Sequence, residues 1–259
     1  MQASKSGGVA ISVLVTGSDR GIGLGLVKRF LELPCPPRWV FATTLDLEAK
    51  ETKEIKDMVC RHPNLVLLQL DVTILESIQA VLREVEKCVG DDGLTLLINN
   101  AGIWLFEDLE KENAADMQTI YSVNTIGPLR MSQAFLPLLK KAARKSPRQG
   151  LSTSKAAIIN ISSSLGSMEV MLIWEKAQVV SYRCSKAALN MLTKCQSLEY
   201  STSGILTVAI HPGLVNTSRN PYPEITVEES TQGIVNVLST LSEEDNGTFL
   251  DWLGRCVPW

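Results

Sequence analysis

Residues 9–30 read VAISVLVTGSDRGIGLGLVKRF, and this stretch decides how the rest of the chain is interpreted. Its first seven residues are mainly apolar and β-branched, which is typical of a buried parallel strand. Gly17, Gly21 and Gly23 follow the strand, and the apolar spacing from Leu24 onward predicts a helix. A glycine turn lets the backbone approach a phosphate, and the free N–H groups at the start of the helix bind it. The stretch therefore predicts a dinucleotide site.

The alternation of strand and helix continues to the end of the chain. Further strands are predicted over residues 39–44, 65–70, 94–98, 156–161, 205–210 and 247–250. Helices are predicted over residues 51–59, 74–89, 113–143, 181–200 and 226–241. Pro128 and Pro137 are expected to kink or break the longest helix. The pattern implies a single α/β domain over residues 1–259, a Rossmann-type doubly wound parallel sheet of about seven strands with helices on both faces.

The composition limits the class of protein. The 259 residues carry a net charge of −3 and 45% are hydrophobic, which suits a buried core but gives no electrostatic attraction for nucleic acid or an anionic membrane surface. No run of roughly 18 apolar residues predicts a transmembrane helix. The six cysteines stand singly and the two histidines are far apart, so we expect no metal site and no hydrolase triad. Residues 1–8 lack the apolar core of a signal peptide, so we expect a cytoplasmic protein with reduced thiols.

Tyr182 and Lys186 stand four residues apart on a predicted helix and therefore share one face. A neighbouring ammonium group favours the phenolate and lowers a tyrosine pKa from its usual value of about 10. The spacing alone occurs often by chance, but other polar residues follow the predicted strands. These are Asp71, Asn99, Asn100, Ser162, Ser163, Ser164 and His211. Because ligands bind at the carboxyl ends of the strands in such a sheet, these side chains are expected to meet at one site.

Six motifs match one family in order and in rough spacing. They are Thr16-Gly17-x-x-x-Gly21-x-Gly23, Asn99-Asn100-Ala101-Gly102, Asn124, Ser163, Tyr182-x-x-x-Lys186 and Pro212-Gly213. Over almost its whole length the chain resembles the short-chain dehydrogenase/reductase family, and within it the branch of sniffer-type carbonyl reductases and C-factor-like proteins. The resemblance implies that Tyr182 is the general acid and that Lys186 lowers its pKa and holds the nicotinamide ribose. It also implies that Ser163 hydrogen-bonds the substrate carbonyl, and that Asn124 bends its helix and holds a water of a proton relay.

The resemblance further implies a set of cofactor contacts. They are Gly17, Arg20, Gly21, Ile22, Gly23, Asp71, Val72, Asn99, Ala101, Gly102, Tyr182, Lys186, Pro212, Gly213, Val215 and Thr217. Asn99 has a competing role, because in this family it also ties neighbouring strands together. The position after the second strand where a ribose is expected holds no acid, although Asp46 stands close by, and Arg20 could pair with a 2′-phosphate. These features favour NADP(H) and leave NAD(H) open.

Two departures from the family pattern concern the substrate. The interval from Ser163 to Tyr182 is longer than usual, which implies an enlarged and largely apolar loop at the substrate mouth. The segment after Thr217, residues 218–224, is short, so the usual lid is expected to be reduced. We expect an NADP(H)-dependent reductase of small lipophilic aldehydes, ketones or quinones, with a homodimer possible. The alternatives are a catalytically idle dinucleotide-binding signalling protein and an NAD-dependent alcohol or steroid dehydrogenase.

Overall fold

The structure is a computed structural model that describes residues 10–217 and 223–259. The strands in these ranges are β1 (Ser12–Val15), β2 (Trp39–Thr44), β3 (Leu65–Gln69), β4 (Leu96–Asn99), β5 (Ala157–Ile161), β6 (Leu206–His211) and β7 (Phe249–Asp251). The α-helices are α1 (Gly21–Glu32), α2 (Lys53–Val59), α3 (Leu75–Val89), α4 (Ala114–Tyr121), α5 (Gly127–Lys145), α6 (Val180–Tyr200) and α7 (Val227–Thr240). Residues 218–222 of the predicted segment 218–224, and residue 9 of the first predicted strand, lie outside the described residues.

All seven strands are parallel and belong to one sheet with the order β3-β2-β1-β4-β5-β6-β7. The predicted doubly wound sheet is confirmed. The order reverses between β1 and β4, where the connections on either side leave in opposite directions and open a crevice. That crevice is where a ligand of such a sheet is expected.

The side chains of the sheet alternate between two cores. Val13 and Val15 of β1 pack in the cluster that includes α1 and α7, whereas Leu14 packs in the cluster that includes α3 and α5. Successive side chains of a strand point to opposite faces, so a run that is apolar throughout must be covered by helices on both sides. The uninterrupted apolar runs in the sequence follow from this double cover.

The long predicted helix is interrupted near Asn124 and not at its prolines. A π-helical turn, Ser122–Ile126, separates α4 from α5. Pro128 lies in the first turn of α5, where its missing N–H costs nothing, and α5 continues through Pro137 without a break. The helix is therefore not broken at either proline, and its interruption is centred on Asn124, where the family resemblance implied a bend. None of the described helices is both long and apolar enough to cross a bilayer.

Candidate active site

A cavity of about 940 Å³ lies along the carboxyl ends of the strands. Its lining includes every residue that the sequence assigned to catalysis or to the cofactor, with the exception of Asn99 and Asn124. A volume of this order is enough for a drug-sized ligand. The cavity spans the crevice between β1 and β4, so the sheet topology and the motifs identify the same place.

The glycine turn after β1 has the backbone conformation that requires glycine. Gly17 and Gly21 adopt φ values of +65° and +54°, in the left-handed region that side chains disfavour. At Gly23 the reason is space, since a Cβ there would lie 2.1 Å from the carbonyl oxygen of Gly17. The turn leads directly into α1, whose first N–H groups face the cavity side where a pyrophosphate would fit.

Asn100 holds this turn in place, although no separate role was predicted for it. Its Nδ2 donates to the carbonyl oxygens of Thr16 and Gly17 at 2.8 and 2.9 Å. In return, the Thr16 hydroxyl oxygen accepts from the backbone N–H groups of Asn100 and Ala101. These bonds join the ends of β1 and β4 across the crevice and keep the glycine turn rigid.

Asn99 faces away from the cavity. Its Nδ2 donates to Oδ1 of Asn160 on β5 at 2.8 Å, and Asn160 donates in turn to Thr193 and Gln196 of α6. Of the two roles that the sequence left open, the structure shows the tie between strands. Asn100, and not Asn99, supplies the side chain of this motif to the cavity wall.

The turn after β3 is held by hydrogen bonds within the protein. Oδ1 of Asp71 accepts from the N–H and the hydroxyl group of Thr73, at 2.8 and 2.6 Å. The Asp71 N–H donates to the Ser77 hydroxyl oxygen, and Val72 packs against Gly127 at the start of α5. Asp71 and Val72 therefore form a fixed edge of the cavity on the side expected for adenine.

The end of β2 carries no acid into the cavity. Leu45 lines it, whereas Asp46 lies outside the lining and accepts from the backbone N–H of Glu48. Arg20, at the start of α1, also lines the cavity, with its Nη1 3.8 Å from a carboxylate oxygen of Glu51. The cavity lining near the end of β2 thus offers the guanidinium group of Arg20, which has Asp19 and Glu51 as acidic neighbours.

Tyr182, Ser163 and Lys186 lie together in the cavity lining. Burial raises the pKa of Tyr182 to about 12, and a hydrogen bond with Ser163 acts in the opposite direction. Burial lowers the pKa of Lys186 to about 8. The predicted lowering of the Tyr182 pKa is therefore wrong for this geometry, because desolvation of the phenolate outweighs its neighbours. At neutral pH the phenol keeps its proton and is ready to donate it.

The position of Lys186 is set by two contacts. Its Nζ donates to the carbonyl oxygen of Ile161 at 2.8 Å and lies 5.6 Å from the ring centroid of Tyr182. Gly166 packs so closely on Lys186 that an added Cβ would lie 2.7 Å from it. The missing side chain at residue 166 therefore lets the helix with Tyr182 approach the end of β5.

The three serines after β5 have different surroundings. The Ser162 hydroxyl donates to Oδ1 of Asn190 at 2.6 Å in a buried contact, so it is already engaged within the protein. Ser164 is buried and lies outside the cavity lining. Ser163 is the one that combines a place in the lining with a hydrogen bond to Tyr182. This geometry agrees with the choice of Ser163 over its neighbours.

Asn124 is fully buried in the π-helical turn and contacts the loop after β4. Its Oδ1 accepts from the N–H of Ile103 and its Nδ2 donates to the Ile103 carbonyl oxygen, at 2.9 and 2.8 Å. Nδ2 also donates to the hydroxyl oxygen of Ser185 on α6. An added Cβ on Gly102 would lie 3.3 Å from Asn124 Oδ1 and 3.8 Å from Lys186 Nζ. Asn124 thus stands one small residue away from the buried lysine.

The loop after β6 forms the remaining wall. Gly213 adopts a φ of +89°, and the Ser230 hydroxyl of α7 donates to the Pro212 carbonyl oxygen at 2.6 Å. Thr217 approaches the glycine turn, since an added Cβ on Gly21 would lie 3.4 Å from its methyl group. His211 lies outside the lining, and burial lowers its pKa to about 4. His211 is therefore a residue at the end of β6 that does not join the other side chains at the site.

The catalytic helix starts without a cap of its own. Val179 precedes it and offers no side-chain acceptor, but Oε2 of Glu112 accepts from the Ser181 N–H at 2.9 Å. An acidic group at this end also complements the helix dipole. Glu112 lies in the loop before α4, so the position of Tyr182 depends on a distant segment that sequence spacing does not reveal.

Comparisons with known proteins agree with this geometry. A family model described as short chain dehydrogenase matches residues 12–224. The structure of NADPH-bound carbonyl reductase from chicken fatty liver superposes with a TM-score of 0.93 at 50% identity, covering 97% of this chain and 100% of that one. Carbonyl reductase Sniffer of D. melanogaster gives 0.92 at 36% identity, covering 96% and 100%. C-signal of Myxococcus xanthus is 33% identical over 66% of this chain and 95% of its own. The family predicted from the motifs is thereby confirmed: the chain belongs to the short-chain dehydrogenase/reductase family.

Proposed function

We propose that this protein is an NADPH-dependent carbonyl reductase that acts on small lipophilic aldehydes, ketones or quinones. The observation that carries the proposal is that Tyr182, Ser163 and Lys186 line the same cavity as the glycine turn after β1. In this proposal residues 9–102 bind the dinucleotide, and residues 103–259 supply the catalytic side chains and the substrate wall. The likeness to an NADPH-bound carbonyl reductase at 50% identity supports it.

Three side chains of the protein act at the carbonyl oxygen of the substrate. A bound NADPH supplies the hydride for the carbonyl carbon. Tyr182, protonated at neutral pH because burial raises its pKa, donates its proton to the oxygen as negative charge develops there. The Ser163 hydroxyl directs a hydrogen bond to the same oxygen, and the Lys186 ammonium group stabilises the phenolate that remains. Asn124 would support a water that returns the proton from solvent by way of Lys186.

The character of the mouth supports lipophilic substrates. The rings of Trp104 and Tyr182 lie with their centroids 5.6 Å apart, and Phe106 packs on Trp104 at 4.6 Å. Leu165 and Ile173 complete this part of the lining. An apolar wall beside the proton donor favours a carbonyl compound that gains by leaving water.

Replacement of Tyr182 by phenylalanine tests the mechanism. Tyr182→Phe keeps the ring and removes the proton donor, so kcat for an aldehyde should fall at least a hundredfold, within the range for loss of a general acid. Tyr200→Phe, at the far end of the same helix, is the matched control and should retain activity. NADPH oxidation followed at saturating aldehyde measures both. If Tyr182→Phe keeps wild-type turnover, the assigned mechanism is wrong.

The cofactor preference is tested separately. Arg20→Ala should weaken NADPH binding at least tenfold and leave NADH binding within a factor of two, because only NADPH carries the 2′-phosphate. Arg29→Ala, at the other end of α1, is the control. Leu45→Asp should turn the preference towards NADH by placing an acid at the ribose. Equal affinities of the wild type for both dinucleotides would favour the NAD-dependent dehydrogenase, and binding without turnover across aldehydes, ketones and quinones would favour the idle signalling protein.

The proposal also includes a cellular location and an oligomeric state. We propose a cytoplasmic protein that forms a homodimer through the outer face of α6. Two apolar side chains on that helix, Met191 and Leu198, are 64% and 70% exposed, and exposed apolar residues at such spacing favour association. Light scattering of the purified protein should give twice the chain mass, and Met191→Lys with Leu198→Lys should return it to the single value.

A further inference from the structure

The segment between β5 and α6 forms a wall of the proposed substrate pocket. This mouth segment, residues 168–180, contributes Ile173 to the cavity lining. Ala177 and Val179 of the same segment pack with Leu165 in a small cluster against which Tyr182 is packed. The wall and the proton donor thus share one apolar cluster, and a movement of the segment changes the space beside Tyr182.

The mouth segment is held in a strained backbone conformation. Ile173 and Val179 have φ values of +51° and +40°, and they are the only non-glycine residues with positive φ in the described part of the chain. Both are β-branched, the residue class for which this region is least accessible. Such conformations persist only where surrounding contacts impose them, and they concentrate at functional sites.

Arg183 supplies those contacts. The residue follows Tyr182 directly and is only 7% exposed. Its Nε donates to the carbonyl oxygen of Gln178 at 2.7 Å, and its Nη2 donates to those of Leu172 and Ala177 at 2.7 and 3.2 Å. Leu172 and Gln178 directly precede the two strained residues, so the guanidinium group bonds the mouth segment beside each of them.

The remaining surroundings of Arg183 also come from the mouth segment. The ring of Trp174 lies over the guanidinium group, 5.5 Å from centroid to Cζ. Nη1 is buried without a hydrogen-bond acceptor, and among the described residues no carboxylate forms an ion pair with Arg183. The partners of this buried guanidinium group are backbone carbonyl oxygens and one indole ring of the mouth segment. Its removal should therefore disturb the packing of the main hydrophobic core little. Its contacts join a single loop to the helix that carries Tyr182 and Lys186.

We propose that Arg183 is a positioning residue that fixes the mouth segment against α6 and thereby determines which carbonyl compounds fit beside Tyr182. The inference rests on the proposed function. Larger substrates reach Ile173 and depend on the wall, whereas a small aldehyde lies mainly against Tyr182 and Ser163. Arg183 is therefore a determinant of substrate size and takes no part in the proton transfer.

The kinetic test compares two aldehydes, benzaldehyde and biphenyl-4-carboxaldehyde, with NADPH. Arg183→Met should raise KM for the biphenyl compound at least tenfold and KM for benzaldehyde less than threefold, with the NADPH dissociation constant within twofold of wild type. Arg183→Lys keeps the charge but only one donor nitrogen, so it should give an intermediate value. Lys194→Met is the control. It removes another cation of α6 that donates to a backbone carbonyl oxygen, that of Gly247, and it should change KM for neither aldehyde. An equal rise for both aldehydes, a loss of NADPH affinity, or no change would overturn the inference.

A second measurement does not depend on turnover. Hydrogen exchange of the amides in residues 168–180 should be at least tenfold faster in Arg183→Met than in wild type, while the strands of the sheet exchange as before. If Arg183→Met does not fold, Trp174→Leu should give a smaller acceleration in the same peptides, and unchanged exchange would overturn the inference. A wild-type protein that reduces neither aldehyde would reject the proposed function, whereas the exchange result would still decide the role of Arg183.

Discussion

Lys186 is expected to make the protein less stable at neutral pH than it would be with an apolar residue in its place. The side chain is 4% exposed, and burial lowers its pKa from 10.5 to about 8. One pKa unit corresponds to about 1.4 kcal/mol, so keeping this ammonium group in the folded protein costs about 3 kcal/mol at pH 7. Replacement by methionine removes that cost but also the hydrogen bond to Ile161, worth about 1 kcal/mol. Lys186→Met should therefore be more stable by about 2 kcal/mol at pH 7.

The pH dependence of this difference is the sharper test. Between pH 8 and pH 10.5 the folded protein has released the proton of Lys186 and the unfolded chain still holds it. The unfolded state then binds more protons, so the stability of the wild type rises with pH in this window. Lys186→Met lacks this rise. The amount by which its free energy of unfolding exceeds that of the wild type should therefore shrink by about 2 kcal/mol between pH 7 and pH 10.

Urea unfolding followed by circular dichroism at pH 7, 8.5 and 10 measures both quantities, without added dinucleotide. Lys194→Met, whose side chain is exposed on the same helix, is the control and should follow the wild type at each pH. The variant should have no reductase activity. A Lys186→Met protein that is less stable than wild type at pH 7, or whose advantage is the same at pH 10, would refute the reasoning that desolvation dominates at this site.

Three further results are expected. Gly23→Ala should weaken NADPH binding at least tenfold in a fluorescence titration, because its Cβ would lie 2.1 Å from the Gly17 carbonyl oxygen; unchanged affinity would mean that the turn is adaptable. Asn160→Leu should lower the free energy of unfolding by about 3 kcal/mol, since it leaves the Asn99 amide and its other partners unpaired in a buried network, and a neutral effect in urea unfolding would contradict that. His211→Gln should flatten the loss of stability on acidification. The His211 pKa is lowered from 6.5 to about 4, so below pH 6.5 mainly the unfolded chain gains a proton there and the wild type loses about 3 kcal/mol by pH 4; parallel stability curves would count against this.

The strands could be predicted closely because a sheet covered on both faces leaves continuous apolar runs in the sequence. β2 begins and ends at the predicted residues, Trp39 and Thr44. The cavity followed from the same logic, because the carboxyl ends of parallel strands share one edge. The roles of the side chains at that edge were harder to assign. Asn99 and Asn100 are adjacent in sequence but point to opposite sides of the sheet, and only the pairing of β4 with both β1 and β5 shows which one meets the glycine turn.

Other features depend on contacts between residues that are far apart in the sequence. The interruption between α4 and α5 follows from bonds of Asn124 to Ile103 and Ser185, residues 21 and 61 positions away. Proline was the helix breaker visible in the sequence, but Pro128 lies in the first turn of α5 and the helix continues through Pro137. The pKa of Tyr182 depends on burial beneath the apolar cluster of the mouth segment, which spacing cannot quantify. In each case a distant contact outweighs a local propensity.

The rigidity of α6 explains why so many distant contacts converge on it. Tyr182 and Lys186 point into the cavity, whereas the hydroxyl group of Ser185 accepts from Asn124. Asn190, one turn further on, accepts from Ser162 at the end of β5. Because residues on one helix keep fixed relative positions, each of these bonds limits the place of the phenol without touching it. A large mouth segment can therefore lie beside the site without displacing the phenol if a residue of the same helix holds that segment. Arg183 lies on α6 and bonds the mouth segment in this way.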